Sequence, residues 1–171
     1  MAALAYKITR ICLAPLFAAL GAVAALLAGG MVNEALVLKT EATRLQAEAS
    51  DQWAAYQAKG LKSAIQQASQ LFWTASGKNP PPQFSQEQQR YAREQAELER
   101  LARDMEQQRD RKSAEADELL HQHHRFADSV ALFQVAIALG AVAALTRMRL
   151  VWFGSMLVGL IGAGLFLVTI L

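Results

Sequence analysis

Charge is missing from three long stretches of the 171-residue chain: residues 11–32, 129–146 and 150–171 contain no Asp, Glu, Lys or Arg. All 15 acidic residues lie between Glu34 and Asp128. This uneven distribution disfavours a single soluble core and a basic nucleic-acid-binding domain. Cysteine is also scarce: the one residue, Cys12, cannot form an intrachain disulfide, so a disulfide-stapled secreted scaffold is disfavoured as well.

The charge-free stretches are long enough to cross a bilayer. As helices, the three stretches would measure roughly 33, 27 and 33 Å at 1.5 Å per residue, against a hydrocarbon core of about 30 Å. The pattern predicts an all-α membrane protein with three transmembrane helices in contact with lipid. Residues 1–33 form the N-terminal segment and first span, and residues 129–171 form the second and third spans with a short basic loop, 147–149.

The first stretch has one alternative interpretation, a cleaved signal peptide. Lys7 and Arg10 precede it, and small residues near its end, at 28–30, could be a cleavage site. Signal peptides have apolar cores of about 7–15 residues, shorter than this stretch. We therefore expect a retained span.

Basic residues in the short segments predict the orientation. Lys7 and Arg10 precede the first span, and Arg147 and Arg149 lie between the second and third, with no acid in either segment. By the positive-inside rule both segments are expected on the cytoplasmic side, which places residues 34–128 on the opposite side of the membrane.

The middle segment, 34–128, has the composition of a helical hairpin. Its first arm, 34–76, and second arm, 84–128, are rich in helix-forming residues, and the turn 77–83 contains Pro80, Pro81 and Pro82. Ser85 and Gln88 resemble a capping box at the start of the second arm. The arms would be antiparallel and roughly 65 and 68 Å long.

A seven-residue repeat predicts the packing face of the second arm and indicates one unbroken helix into the second span. In the first arm, apolar residues at 4,3 spacing stop near Gly60 and resume at Leu61, Ile65, Ala68 and Phe72, which predicts a one-residue slip in register. The second-arm series is Phe84, Tyr91, Leu98, Met105, Lys112, Leu119, Phe126 and Phe133.

The predicted seam contains many polar residues, so a two-helix hairpin would be weakly held. We therefore expect homo-oligomerisation, with hairpins packed side by side. The residues expected to pack within or between subunits are Trp53, Tyr56, Phe72, Trp73, Tyr91, Leu98, Met105, Leu119 and Phe126.

Three segments resemble a known family. Residues 49–59 (ASDQWAAYQAK), 123–127 (HHRFA) and 132–139 (LFQVAIAL) are similar to the bacterial membrane family built on domain of unknown function 4337. The resemblance covers nearly the whole chain. Ala55 departs from the aromatic or polar residue expected before Tyr56, which affects only local packing. The resemblance implies a bacterial, inner-membrane protein, whose hairpin, residues 34–128, is then expected in the periplasm, and it supplies no catalytic residues.

Histidines near the end of the second arm are the only candidates for a metal site. On a helix His121 and His124 are i, i+3 neighbours, and Asp117 lies four residues before His121. Two or three ligands on one face could bind a metal, but zinc sites usually have a fourth ligand. Interfacial histidines near lipid headgroups are the favoured interpretation, and a pH-sensitive subunit contact is a further one.

Small residues repeat every four positions in the spans, which favours close helix packing. Gln134 is the only amide in the second stretch; it could bond across helices or line a pore. The rows are Gly21, Ala25, Gly29; Ala136, Gly140, Ala144; and Ser155, Gly159, Ala163.

The sequence contains no pattern typical of an enzyme, a cofactor site or nucleic-acid binding. Asp51, Trp53, Tyr56 and Lys59 share a helix segment but lack a nucleophile–base pair. The predicted function is that of a self-assembling scaffold. The alternatives are an oligomeric pore or channel, and an accessory subunit bound to another membrane protein.

Overall fold

A computed structural model describes the backbone of residues 2–171 and the side chains of residues 15–171. The elements in this range are three α-helices, α1 (Ala2–Ala75), α2 (Gln83–Thr146) and α3 (Arg149–Ile170). All three are long and apolar enough to cross a membrane. The all-α class and the unbroken α2 agree with the sequence prediction. Cys12, Lys7 and Arg10 lie outside the residues with described side chains.

The turn between α1 and α2 is defined by backbone hydrogen bonds. Gly77 has φ 68°, a left-handed conformation that favours glycine. The N–H of Lys78 donates to the carbonyl of Trp73 (3.1 Å), and the N–H of Gly77 donates to that of Thr74 (3.0 Å). These two bonds form a Schellman motif, which ends α1 before the three prolines.

The capping box predicted at Ser85 does not form. Helix α2 begins at Gln83, two residues earlier, and the Ser85 hydroxyl donates to the carbonyl of Pro82 (2.9 Å). The backbone N–H of Phe84 also donates to a proline carbonyl, that of Pro81 (3.1 Å). The carbonyls of Pro81 and Pro82 thus accept the first hydrogen bonds at the start of α2. Ser85 therefore lies inside the helix and not at its cap.

The chain divides into two compact units. The first, the span unit, comprises residues 1–37 and 115–171, and the second, the hairpin unit, comprises residues 38–114. The boundaries between the two units are defined by which residues pack together, whereas the boundaries predicted at residues 34 and 128 are defined by where charged residues begin and end. The segment 115–128 groups with the spans because Phe126 is buried against Phe166 at 5.9 Å between ring centroids.

The core of the span unit is aromatic and alanine-rich. Phe133 is fully buried, stacks on Phe17 (6.2 Å between centroids) and contacts Phe166 edge-on (6.4 Å). Each of the three helices contributes one of these rings. The cluster is completed by Ala24, Ala28, Phe126 and Ala136.

A two-residue turn joins α2 to α3. Arg147 has φ 57°, the left-handed region in which a side chain is strained and glycine is favoured. The position after the end of α2 is therefore occupied by a basic residue where glycine would cost less conformational energy.

Candidate functional site

The first part of the hairpin unit pairs α1 with α2 in antiparallel order. Trp53 contacts Glu106, and Gln66 contacts Glu87. Residues later in α1 therefore contact residues earlier in α2. On the α1 side, this part of the seam is apolar and follows 4,3 spacing. Its buried α1 residues are Leu38, Ala42, Leu45 and Ala49.

An ion pair and a hydrogen bond flank the apolar part of the seam. Lys112 and Glu41 lie 2.5 Å apart, and the Lys39 ammonium donates to the Ser113 hydroxyl (2.9 Å). The hydrogen bond and positive charge of Lys112 lower the pKa of Glu41, with a smaller contribution from Arg44. Lys112 occupies an apolar position of the predicted seven-residue series, and its ammonium is accommodated by pairing with Glu41.

Trp53 and Tyr56 are half-buried within one chain. The indole N–H of Trp53 donates to Glu106 (2.9 Å), and the Arg103 guanidinium lies 5.8 Å from the ring centroid. Tyr56 meets the indole edge-on at 5.6 Å. These two aromatics therefore have intramolecular contacts.

Beyond Gly60 the seam is polar. Lys59 pairs with Glu94, Gln66 bonds to Glu87, and the Gln95 amide donates to the carbonyl of Tyr56 (3.3 Å). The Lys59 hydrogen bond lowers the pKa of Glu94. The α1 residues that face α2 keep the 4,3 spacing of the apolar part without a break. They are Tyr56, Lys59, Ser63, Gln66 and Gln70, all half-buried.

The predicted register slip near Gly60 is therefore wrong. Had the register slipped, Leu61 and Ile65 would have met Glu94 and the glutamines of α2. The structure instead pairs polar layers of α1 with polar layers of α2. Leu61, Ile65 and Phe72 are consequently exposed, by 65%, 58% and 73%.

These residues belong to a continuous apolar stripe on the outside of α1, which we call the outer stripe. Its members lie two residues after the seam positions, about 200° around the helix. Each member is apolar and exposed, and the spacing alternates between four and three residues. The outer stripe comprises Ala54, Ala58, Leu61, Ile65, Ala68, Phe72 and Ala75.

The predicted packing residues of α2 are covered to different extents. Tyr91, Leu98, Met105 and Leu119 are half-buried, and Phe126 is buried in the span unit. The ring of Tyr91 also makes cation–π contacts with two side chains. The Lys59 ammonium lies 5.7 Å and the Arg90 guanidinium 5.2 Å from its centroid.

The histidines do not converge on a metal site. In the part of the chain with described side chains, no three His, Cys, Asp or Glu side chains lie close enough together to bind an ion. His121, His124 and Asp117 are exposed. His123 has a contact that its position in the sequence does not predict: its Nδ1 lies 3.0 Å from the carbonyl oxygen of Ala28 and joins α2 to α1 in the span unit.

Spacing alone does not decide which small residues in the spans pack against another helix. Gly21 contacts Phe133, and Gly159 contacts Phe17, but Ala25 and Gly29 are exposed. A step of four residues advances 400°, so a row of such steps drifts 40° per step off the contact face. The α1 residues that face the core are instead separated by alternating steps of four and three residues. Phe17, Ala24 and Ala28 are buried, and Gly21 is half-buried.

The same drift affects the rows in α2 and α3. Ala136 is buried, Gly140 is half-buried beside Ser155, and Ala144 is exposed. In α3 Ser155 and Gly159 are buried, and Ala163 is half-buried against the aromatic core. The Ser155 hydroxyl donates to the carbonyl of Ala136 (2.7 Å), a buried bond between α2 and α3.

Gln134 lies on the exposed face of α2 in the span unit. Among the residues with described side chains its amide makes no hydrogen bond. Ala131 and Ala138, the exposed neighbours at i−3 and i+4, leave the backbone accessible on the same face.

Comparison with known proteins identifies a family and supplies no activity. No curated protein and no solved structure matches the chain. The family model described as Domain of unknown function (DUF4337) matches residues 12–171, which is nearly the whole chain. This protein therefore belongs to the DUF4337 family, as the three sequence segments indicated.

Proposed function

We propose that the chain is an integral protein of the bacterial inner membrane that self-assembles through its hairpin and acts as a scaffold without enzymatic activity. The outer stripe is the observation that carries this proposal. Seven consecutive positions of the 4,3 pattern, spanning residues 54–75, are apolar and exposed on the face of α1 opposite the seam.

The pattern of the outer stripe favours another helix as its partner. A sustained seven-residue period is the signature of knobs-into-holes packing between helices. Copies inserted in one membrane with the same orientation present their stripes side by side and in parallel. A symmetric, self-complementary contact through identical stripes follows.

The residues flanking the outer stripe permit this pairing. A single charge, on Lys62, is present among them, so repulsion between copies is small. The flanking residues are Ala55, Gln57, Lys62, Ala64, Ser69, Leu71 and Ser76.

Disulfide cross-linking in native membranes tests the contact. In a Cys12→Ser background, Ile65→Cys places a thiol on the outer stripe, and Gln67→Cys places one on an exposed position of the same helix outside it. We expect mild oxidation to link the Ile65→Cys chains into dimers and to leave the Gln67→Cys chains monomeric. Equal cross-linking of both variants, or of neither, would contradict the proposal.

A pore is the second candidate function, and Gln134 is the observation that favours it. An amide on an exposed face within a charge-free stretch needs a hydrogen-bonding environment, which a water-filled path between copies supplies. Ion flux through the reconstituted protein, reduced by Gln134→Leu but not by Val135→Leu, would support the pore. Absence of flux would favour the closed scaffold.

A further inference from the structure

Gln134 is the polar member of a regular row of residues on α2, within the span unit. The row advances by alternating steps of four and three residues, so its members lie within about 80° of one another around the helix. All of them are exposed except Ala127, which is half-buried. The row, which we call the α2 face, comprises Ala127, Ala131, Gln134, Ala138, Ala141 and Leu145.

The α2 face points away from the core of the span unit. Phe133 and Ala136, which are buried, lie about 100° and 160° around α2 from Gln134. Phe133 stacks on Phe17 of α1, and the carbonyl of Ala136 accepts the Ser155 hydroxyl of α3. The described parts of α1 and α3 therefore pack against the other side of α2 and leave the α2 face open.

The amide of Gln134 needs a hydrogen-bond partner in a membrane. It lies in the charge-free stretch 129–146, and hydrocarbon offers neither donors nor acceptors. Among the side chains that the structure describes, none is hydrogen bonded to this amide. A glutamine amide has both a carbonyl oxygen and an NH2 group, so two glutamines can exchange a pair of hydrogen bonds. A second Gln134 is therefore a suitable partner.

Insertion in a membrane brings identical residues to the same depth. Copies with the same orientation hold Gln134 at one level, so the two amides meet whenever two α2 faces meet. The four alanines of the face let the helix backbones approach closely, as small residues do at helix contacts in membranes. A contact through two identical faces is symmetric and is complete with two copies.

We propose that a second copy of this chain docks on the α2 face, with the two Gln134 amides hydrogen bonded to each other. The proposal rests on the proposed insertion in a membrane and does not require the outer stripe. The rest of the α2 face is alanine and leucine, an apolar lining that disfavours water in a narrow path. An amide pair between copies thus satisfies Gln134 better than a pore does.

The contact is expected to be weak, because it contributes only one or two hydrogen bonds between helices. Oxidation within the membrane can capture such a contact, whereas solubilisation in detergent is expected to separate it. The outer stripe would then supply most of the stability of the homomer, and the α2 face would orient the spans of two copies.

Disulfide cross-linking of the full chain in native membranes tests the contact. In a Cys12→Ser background, Ala138→Cys places a thiol on the α2 face. Leu160→Cys places one on α3 at a similar depth, since position 160 is 59% exposed and the nearby Gly162 lies beside Phe133. We expect a membrane-permeant oxidant to link the Ala138→Cys chains into dimers and to leave the Leu160→Cys chains monomeric.

Substitution of Gln134 tests the role of the amide. In Ala138→Cys chains, Gln134→Leu should slow the cross-linking about three- to tenfold, which corresponds to the loss of one or two hydrogen bonds between membrane helices. Gln134→Asn keeps an amide on the α2 face and should preserve more of the cross-linking than Gln134→Leu. Val135→Leu changes an exposed neighbour outside the face and should leave the rate unchanged.

Three results would overturn the proposal. One is equal cross-linking of Ala138→Cys and Leu160→Cys, or of neither, and another is cross-linking that Gln134→Leu does not slow. The third is rapid reaction of Ala138→Cys with a charged, water-soluble thiol reagent, which would put water on the α2 face and favour the pore. Dimers through Ala138→Cys without dimers through Ile65→Cys would contradict the outer stripe and support this contact.

Discussion

At the scale of single residues, the closest packing in the span unit depends on one glycine. A Cβ at position 159 would lie 2.4 Å from ring atoms of Phe17, which is 4% exposed. The phenyl ring cannot move far because it stacks on the buried Phe133. Gly159 is thus required for the close contact of α1 and α3, for a reason that spacing within one helix does not reveal.

We predict that Gly159→Ala destabilises the protein by about 1–3 kcal/mol, the usual cost of overpacking a core. Gly164→Ala is the matched control, since it lies on the same helix with no atom within 4 Å of the added Cβ. Thermal unfolding of the detergent-solubilised protein measures both. Equal melting temperatures for the two variants would contradict the packing described here.

Glu41 makes the stability of the hairpin depend on pH. Pairing with Lys112 lowers the pKa of Glu41 below its ordinary value of 4.5. A carboxylate with a lowered pKa in the folded state stabilises the protein above the ordinary value, and this stabilisation is lost as the pH falls through the folded value. Glu94, paired with Lys59, acts in the same direction.

We therefore expect the melting temperature to fall on acidification from neutrality to about pH 4, and to fall less in Glu41→Gln. Because both side chains of the Glu41–Lys112 pair are substantially exposed, the difference should be small and should decrease in high salt. Asp51→Asn changes an exposed carboxylate on the same helix and serves as control. An equal effect of both substitutions would show that Lys112 does not stabilise the folded state through Glu41.

At the scale of elements, α1 has one face that packs against α2 and another, the outer stripe, that is apolar and exposed. The three helices follow from the sequence because charge-free length, helix propensity and the three prolines each act locally. The face that α1 turns to α2 beyond Gly60 does not follow. Apolar spacing selects Leu61 and Ile65, but the polar layers of α2, such as Glu87 and Glu94, pair with polar residues of α1.

Patterns within one helix predict the candidate residues better than contacts between helices do. The half-buried Tyr91 and Leu98 follow from a seven-residue period, which is a property of one helix. Which residues contact across the spans depends on the mutual rotation of helices. The spacing therefore predicts Ala25 and Gly29 as packing residues although both are exposed, and it does not predict the contact of His123 with Ala28.

We predict that an apolar layer in place of Gln66 and Glu87 stabilises the hairpin. The Oε1 atom of Gln66 is buried without a hydrogen-bond partner among the described residues, which costs about 1–3 kcal/mol. Gln66→Leu combined with Glu87→Leu should raise the melting temperature. Gln67→Leu, which adds the same group to an exposed position, should not. A lower melting temperature for the double variant would place these residues outside the seam.

At the scale of the whole molecule, three helices apolar enough to cross a membrane are combined with a charged hairpin that we expect outside the bilayer. The strained Arg147 and its neighbour Arg149 put positive charge on the turn between α2 and α3. By the positive-inside rule that turn is expected in the cytoplasm and the hairpin on the opposite side.

Single-cysteine labelling tests this topology. In a Cys12→Ser background, thiols at Asn79 and Met148 should react with a membrane-impermeant reagent from opposite sides, with Asn79 accessible from outside. Asn79 lies in the turn between α1 and α2, and Met148 in the turn between α2 and α3. Labelling of both positions from one side would contradict the three-span arrangement.

The measurement that tests self-assembly most directly is the mass of the gently solubilised complex, by native mass spectrometry with lipids retained. We predict one discrete homomer for the unmodified chain and for Gln67→Glu, and its dissociation in Ile65→Glu, which puts a charge on the outer stripe. A monomer would contradict the account. A fixed-ratio complex with a second polypeptide would also contradict it and would favour an accessory subunit.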